Sequence, residues 1–169
     1  AGTEVTSGNI ALAISSRQGA DEHTWTGHVE ASHLKARADG HDVTWDHPLS
    51  LEFATHDTKH GLIVDRAQCT SSFLQINASG SMDDLTASAQ FDLAQLMSEL
   101  RRFADLSDVQ LTGNAQAMLA WKRTDANQFT AAADFETRGF QFVTTGGRPW
   151  KEDLLVAKIA ASGQLEKQS

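Results

Sequence analysis

Apolar residues recur at every second position through most of this chain, which is the period of a β-strand with one buried face. Between Gly8 and Ser16, the residues Ile10, Leu12 and Ile14 alternate with small or polar neighbours. The same alternation marks the stretches 24–38, 43–53, 109–119, 129–135 and 154–159. Several of these stretches are longer than the five or six residues that are common in globular strands. We predict a mainly β protein whose long strands pair antiparallel in a meander.

The stretch from Thr24 to Ala38 contains a change of phase. Its apolar positions are Trp25, Gly27, Val29 and Ala31 in the first part and Leu34, Ala36 and Ala38 in the second. A shift of one residue within a strand is typical of a β-bulge, so we predict a bulge near Ser32 or His33. Pro48 interrupts the alternation a second time, which predicts a strand edge or a break there.

One phrase of the sequence is written twice. "DVTWDHPLSLEFA" runs from Asp42 to Ala54, and "GRPWKEDLLVAKI" runs from Gly147 to Ile159. At offsets of 104 to 106 residues, Gly8 meets Gly113, Trp25 meets Phe129, Leu34 meets Phe140 and Trp45 meets Trp150. The strand phases and the change of phase recur together. We predict two similar three-strand repeats, at about residues 8–54 and 113–159, within a single β-rich domain over residues 1–169.

Only the segment at about residues 92–104 departs from the period of two. Leu93, Leu96, Met97 and Leu100 form the stripe of an amphipathic helix, and Asp92 can cap its first turn. We predict that this stripe packs against the sheet. A helix of this length cannot cover six or more long strands. Either the sheet folds on itself, or part of its apolar face stays open as a groove.

Composition excludes several classes of protein. The net charge is −8, and Lys and Arg are scattered, so we expect no nucleic-acid partner. Cys69 is the one cysteine, which excludes an internal disulfide and a thiolate-rich metal site. No apolar run approaches the roughly 18 residues of a membrane helix. Because the chain begins without Met, we expect a processed form or an excised piece, with any signal or membrane anchor outside it.

Catalytic patterns are missing as well. No Gly-x-Ser-x-Gly elbow and no phosphate-binding Gly-Lys-Ser/Thr loop occurs in the sequence, so we predict no enzyme, no catalytic residue and no cofactor. All seven histidines fall in the first 60 residues. His23, His28 and His33 lie five apart and therefore alternate between the two faces of a strand. We predict solvated histidines and no metal site, with adventitious metal binding as the alternative.

The segment from Phe73 to Leu119 resembles a repeat unit of the AsmA and TamB superfamily of bacterial envelope proteins. The wording that carries the resemblance is "INASGSMDDLTASAQFDLAQL" followed by "VQLTGNAQ". The resemblance implies a curved, taco-like sheet with an apolar concave side that bridges the two membranes and carries phospholipids or assists envelope assembly. It also implies a place in the cell envelope, in the periplasm, and a chain that is a segment of a larger protein.

Two functions of different class follow. The first is a lipid-handling or outer-membrane assembly segment whose partners are lipid acyl chains or neighbouring β repeats of the same protein. Its groove would be lined by Leu111, Ala115, Ala117, Phe129, Ala133 and Phe135, with Trp121 and Trp150 near the rim. The second is a structural or protein-interaction β module with a closed core. An open apolar patch well beyond a few hundred Å² favours the first.

Overall fold

The computed structural model describes residues 3–19, 22–38, 41–45, 47–59, 61–125 and 127–164. These residues form ten β-strands and one α-helix. The strands are β1 (Thr3–Gln18), β2 (His23–Ala38), β3 (His41–Trp45), β4 (Leu49–Thr58), β5 (Gly61–Thr70), β6 (Leu74–Ser81), β7 (Asp84–Asp92), β8 (Val109–Asp125), β9 (Gln128–Thr144) and β10 (Trp150–Gln164), and the helix is α1 (Leu93–Leu100). The mainly β prediction is confirmed.

All ten strands belong to one antiparallel sheet in the order β1-β2-β4-β5-β6-β7-β8-β9-β10, and β3 also pairs with β2. Apart from β3 and β4, which both pair with β2, each strand lies beside its neighbour in sequence, which confirms the predicted meander. The sheet is open, because β1 and β10 stand at its two ends. β3 and β4 share one edge of β2, with Trp45 opposite Leu34 and Leu49 opposite Ala31. Pro48 lies between them, and its missing N–H explains the predicted break.

The two faces of the sheet differ in chemistry along their whole width. Directly paired residues lie on the same face, so one row can be followed across nine strands. The row is Leu12, Val29, Leu51, Cys69, Ile76, Ala89, Ala117, Phe135 and Ala157. The next row is Ala13, His28, Glu52, Gln68, Asn77, Ser88, Met118, Asp134 and Lys158. We call the sides that carry these rows the apolar face and the polar face.

Little of the apolar face is covered. The accessible surface is 11777 Å², whereas a compact protein of 18.3 kDa exposes about 8,100 Å². The excess is therefore about 3,600 Å². Among the described residues, the buried hydrophobic side chains are Ala36, Val43, Phe73, Met97 and Ala115. The sheet does not fold on itself, so its apolar face stays open.

The helix is shorter than predicted and buries a different set of side chains. Asp92 caps it as expected, because its carboxylate accepts a hydrogen bond from the Gln95 N–H at 3.0 Å. Met97 is buried, but Leu100 is 41% exposed while Glu99 is only 4% exposed. The predicted stripe is therefore wrong at Leu100. The helix lies between the Trp45 end of β3 and the start of β8. The side of the helix that faces these two strands is buried, and Leu100 lies on the other side.

The space that α1 fills is created by unequal strand lengths. The outer strands β1, β2, β8, β9 and β10 have 15 to 17 residues, whereas β5, β6 and β7 have 8 to 10. Arg102 donates to the Thr44 carbonyl at 2.9 Å, and Arg101 donates to the Val109 carbonyl. The Trp45 ring lies 5.6 Å from Phe103 and 5.8 Å from Phe73. These contacts, which we call the helix bridge, join β3 to β8 across the three strands β5, β6 and β7 that lie between them in the sheet.

The two ends of the sheet repeat the same architecture. β1, β2 and β3–β4 form the first meander, and β8, β9 and β10 form the second. The register between the first two strands shifts beside Gly8 in one meander and beside Gly113 in the other. At these shifts His33 has φ 50° and Gly139 has φ 60°. The bulge predicted near Ser32 or His33 is confirmed, and it recurs at the offset that the predicted repeat requires.

Candidate functional site

The uncovered apolar face is the feature of this fold with the greatest capacity to bind something. Strand alternation determines which side chains lie on this face. Large rings and glycines lie next to each other there. Phe53 lies over Gly27, where an added Cβ would come within 2.2 Å of the ring. Phe129 likewise lies over Gly163. Because a ring can lie flat over a glycine, the surface keeps aromatic area without tall projections.

Most of the predicted groove residues lie on this face. Ala117 is opposite Phe135, and Ala133 is opposite Leu119, so these positions share one side of β8 and β9. Trp121 stacks on Phe129 with 4.5 Å between ring centroids. The Trp121 indole N–H donates to the Met82 carbonyl at 3.1 Å, which fixes the ring at the end of the strand.

Three of the predicted residues lie apart from that group. Ala115 is 2% exposed and pairs with Phe91, beside the start of α1, so it belongs to the packed end of the sheet. Leu111 and Trp150 both pair with Phe142, beyond the bulge. Trp150 is 50% exposed and makes an edge contact with Phe140 at 4.9 Å. The two tryptophans therefore mark different places and do not flank one short groove.

The prediction also missed half of the face. Ile10, Leu12 and Ile14 of β1 are 73%, 63% and 54% exposed, and they continue the apolar face into the first meander. Ile159 extends it to the opposite edge. The same period-two alternation that identified the residues of β8 and β9 identifies these positions too. The candidate site is thus a broad face that spans both meanders.

A depression of about 480 Å³ lies mainly on the polar face. It is lined by short side chains on β6 and β7 and by longer ones on the flanking strands, among them Asn77, Ser79, Ser88, Met118 and Asp134. None of the eight predicted groove residues lines it. This depression therefore lies on the opposite side of the sheet from the predicted groove. On the apolar side, a ligand would contact a broad surface.

Charged groups cluster where β4 of the first meander meets β5. The His56 ring has Asp65 at 2.9 Å from Nδ1 and Glu22 at 3.7 Å from Nε2. The hydrogen bond to Asp65 raises the pKa of His56 above its ordinary value, and the two carboxylates and Asp57 add to the effect. On the same face, Glu52 lies 3.4 Å from Arg66. These pairs are partly exposed, so each contributes little to stability.

The histidines do not form a metal site in the part of the chain that the structure describes. There, no three His, Cys, Asp or Glu side chains come close enough to hold a metal ion. His60 and the side chain of His41 lie outside the described part.

The helix bridge contains a buried acid that the sequence did not single out. The Glu99 carboxylate lies 3.2 Å from His47 Nε2 and 3.7 Å from Arg102 Nε. A buried carboxylate needs such partners, because its desolvation is costly. The indole N–H of Trp45 donates to the His47 carbonyl, which holds this loop against the helix. The cluster is a structural joint that fastens α1 to the first meander.

Comparison with models of protein families, with curated proteins and with solved structures found no match. Among the described residues, no helix has the length and apolar character that a membrane crossing requires.

Proposed function

We propose that this chain is a non-enzymatic segment of a bacterial envelope protein, similar to AsmA and TamB, that handles lipid on its apolar face. One observation carries the proposal: a row of apolar side chains crosses nine strands and remains largely open. Exposed apolar patches beyond a few hundred Å² mark sites that bind a partner, a membrane or a ligand. The placement in the periplasm rests on the resemblance described above.

The dimensions of the face suit an acyl chain. Nine strand positions at about 4.8 Å per step give a row about 38 Å long, whereas the acyl chains of one leaflet span about 15 Å. Each methylene group that leaves water contributes about 0.8 kcal/mol. Small residues such as Ala89 and Ala117 leave room beside Phe135. The Trp121–Phe129 stack lies to one side of the row, further along β8 and β9.

The alternative is a structural or protein-interaction module with a closed core. That function requires the apolar face to be covered within the chain. In the described residues the buried apolar side chains cluster instead at the helix bridge and near it, as Val43, Phe73 and Met97 do. The openness of the remaining face supports lipid contact over the closed module.

The test is to extract the purified protein with organic solvent and to identify released lipid by mass spectrometry. Ala117→Trp fills the centre of the face, and Ala120→Trp is the matched control, because Ala120 belongs to the same strand but to the polar face. We expect lipid from the parent and the control, and loss of lipid from Ala117→Trp without loss of fold. Absence of lipid from the parent, together with unfolding of Ala117→Trp, would instead identify a closed core.

A further inference from the structure

At each end of the sheet, one side of a strand backbone has no partner strand among the described residues. β1 pairs with β2, and β10 pairs with β9, and the described residues include no further strand beyond either of them. An exposed edge is a template for another strand, and soluble proteins protect such edges with charged residues, proline or bulges. A protected edge strand is therefore expected to remain unpaired, whereas an unprotected one can pair with a strand of another molecule.

The two edges differ in protection. β10 carries four charged residues, Lys151, Glu152, Asp153 and Lys158. β1 carries no charged residue from Thr6 to Ser16. From Asn9 onward, β1 pairs with β2 in unbroken register. From Asn9 to Ser16 the β1 edge is thus uncharged and free of register shifts, and Ile10, Leu12 and Ile14 are exposed beside it. Glu4, Arg17 and the register shift beside Gly8 lie outside this stretch.

The number of strands limits how copies can join. With nine strand positions, all antiparallel, β1 and β10 run in the same direction. Copies stacked from β10 onto β1 in one orientation would form a parallel pair, which is less stable per residue and is usually buried on both faces. Two copies of β1 related by a two-fold axis normal to the sheet pair antiparallel instead. That arrangement also keeps both apolar faces on the same side.

We propose that β1 is a dimerisation edge at which a second copy of this chain pairs through its own β1. The self-complementary register places Leu12 opposite Leu12 of the second copy. Ile10 then meets Ile14, Ala11 meets Ala13, and Asn9 meets Ser15, so apolar pairs fall on the apolar face and small or polar pairs on the other. No like charges meet in the paired segment, although each copy carries a net charge of −8.

The dimer does not depend on lipid binding, but it would make the apolar face continuous through both copies. One added strand pair is a small interface beside the about 1,200 Å² of the smallest stable ones, so we expect weak, reversible association. Sedimentation equilibrium of the parent should show a monomer–dimer equilibrium as its concentration rises. A parent that remains monomeric at every concentration would refute the proposal.

Leu12→Lys places two like charges at the two-fold axis and should weaken dimerisation about a hundredfold. Ile159→Lys is the matched control, because Ile159 lies on the same face at the other edge and is 67% exposed. Its dimerisation constant should stay within about twofold of the parent value. Equal weakening by both substitutions would mean that the copies associate through their faces, and the edge proposal would fail.

Cross-linking tests the register and serves as the second measurement if Leu12→Lys does not fold. In a Cys69→Ser background, Leu12→Cys should form a disulfide dimer under mild oxidation, because directly opposed Cβ atoms lie about 4.5–5.5 Å apart. Ser16→Cys, in the same strand, should not cross-link, since the two copies of that residue would be about 26 Å apart. Equal cross-linking at both positions would overturn the proposed register.

Discussion

The two meanders contain equivalent bulges, but different residue types adopt the left-handed backbone conformation there. At equivalent bulges the first meander places His33 at φ 50° and the second places Gly139 at φ 60°. The left-handed region costs an L-residue about 1–2 kcal/mol, and glycine avoids that cost. The bulge is therefore kept even where the residue does not favour it, which indicates that the neighbouring strands determine the backbone at this point.

The third strand shows the larger difference between the meanders. In the first, Pro48 separates β3 from β4, and Trp45 packs between Phe73 and Phe103. In the second, β10 is continuous, and the equivalent Trp150 contacts Phe140 and stays half exposed. The repeated phrase thus has two environments, because the helix bridge reaches only the first copy. Residues at equivalent positions of the two repeats can therefore contribute differently to the free energy of unfolding.

The largest expected effect separates these two tryptophans. Trp45→Ala should lower the free energy of unfolding by about 3–5 kcal/mol, because the ring packs against two phenylalanines. Trp150→Ala should cost about 1 kcal/mol or less, since that ring is half exposed. Urea denaturation of both variants measures the difference. Equal losses would show that the helix bridge does not distinguish the meanders.

A smaller effect is expected at the paired glycines. Gly113 has φ 132°, and an added Cβ would lie 3.1 Å from the Arg138 carbonyl, so Gly113→Ala should destabilise by about 1–3 kcal/mol. At Gly8 an added Cβ meets chiefly the movable end of the Leu34 side chain, so Gly8→Ala should cost about 1 kcal/mol. Thermal melts of the two variants provide the comparison, and a greater loss at Gly8 would contradict it.

At the two bulges, we expect substitutions to change stability in opposite directions. His33→Gly should stabilise the protein by about 0.5 kcal/mol, the relief of left-handed strain less the entropy that glycine loses on folding. Gly139→Ala should destabilise it by about 1 kcal/mol for the same reason. Denaturant midpoints of the two single variants measure both. Destabilisation by His33→Gly would mean that the imidazole makes a contact worth more than the strain.

The response to pH in the range where imidazoles titrate should come from the first part of the chain, because all seven histidines lie in the first 60 residues. The hydrogen bond to Asp65 raises the pKa of His56, so its contribution to stability is complete below the ordinary pKa and is lost as pH rises through the folded pKa. NMR titration should show Asp65→Asn lowering the pKa of His56. Asp134→Asn, in the second meander, is the control and should leave it unchanged.

Sequence periodicity predicted the strands of the two meanders, the bulge and the capped helix because each depends on local spacing, whereas the shorter β5, β6 and β7 were not predicted. Alternation also states which residues share a face, as Leu12 and Ile14 do, but not whether anything covers that face. The burial of Glu99 could not be predicted, since it depends on His47 and Arg102 meeting at a tertiary joint. Likewise, the separation of Trp150 from Trp121 follows from the strand register, because Trp150 pairs with Phe142 and Phe142 pairs with Leu111, at the opposite end of β8 from Trp121. Strand pairing therefore places the apolar residues on one broad face and not in a short groove.

The helix bridge also has a consequence for folding kinetics. Sheet pairing in this meander joins neighbours in sequence, and such local contacts allow a chain to fold quickly and in separate units, as repeat proteins do. The hydrogen bond from Arg102 to Thr44 spans 58 residues, so the loop it closes costs more entropy than a hairpin loop, although this cost rises slowly with loop length. Because closing this loop couples the two meanders, we expect them to unfold in one cooperative transition and not to fray separately from each end.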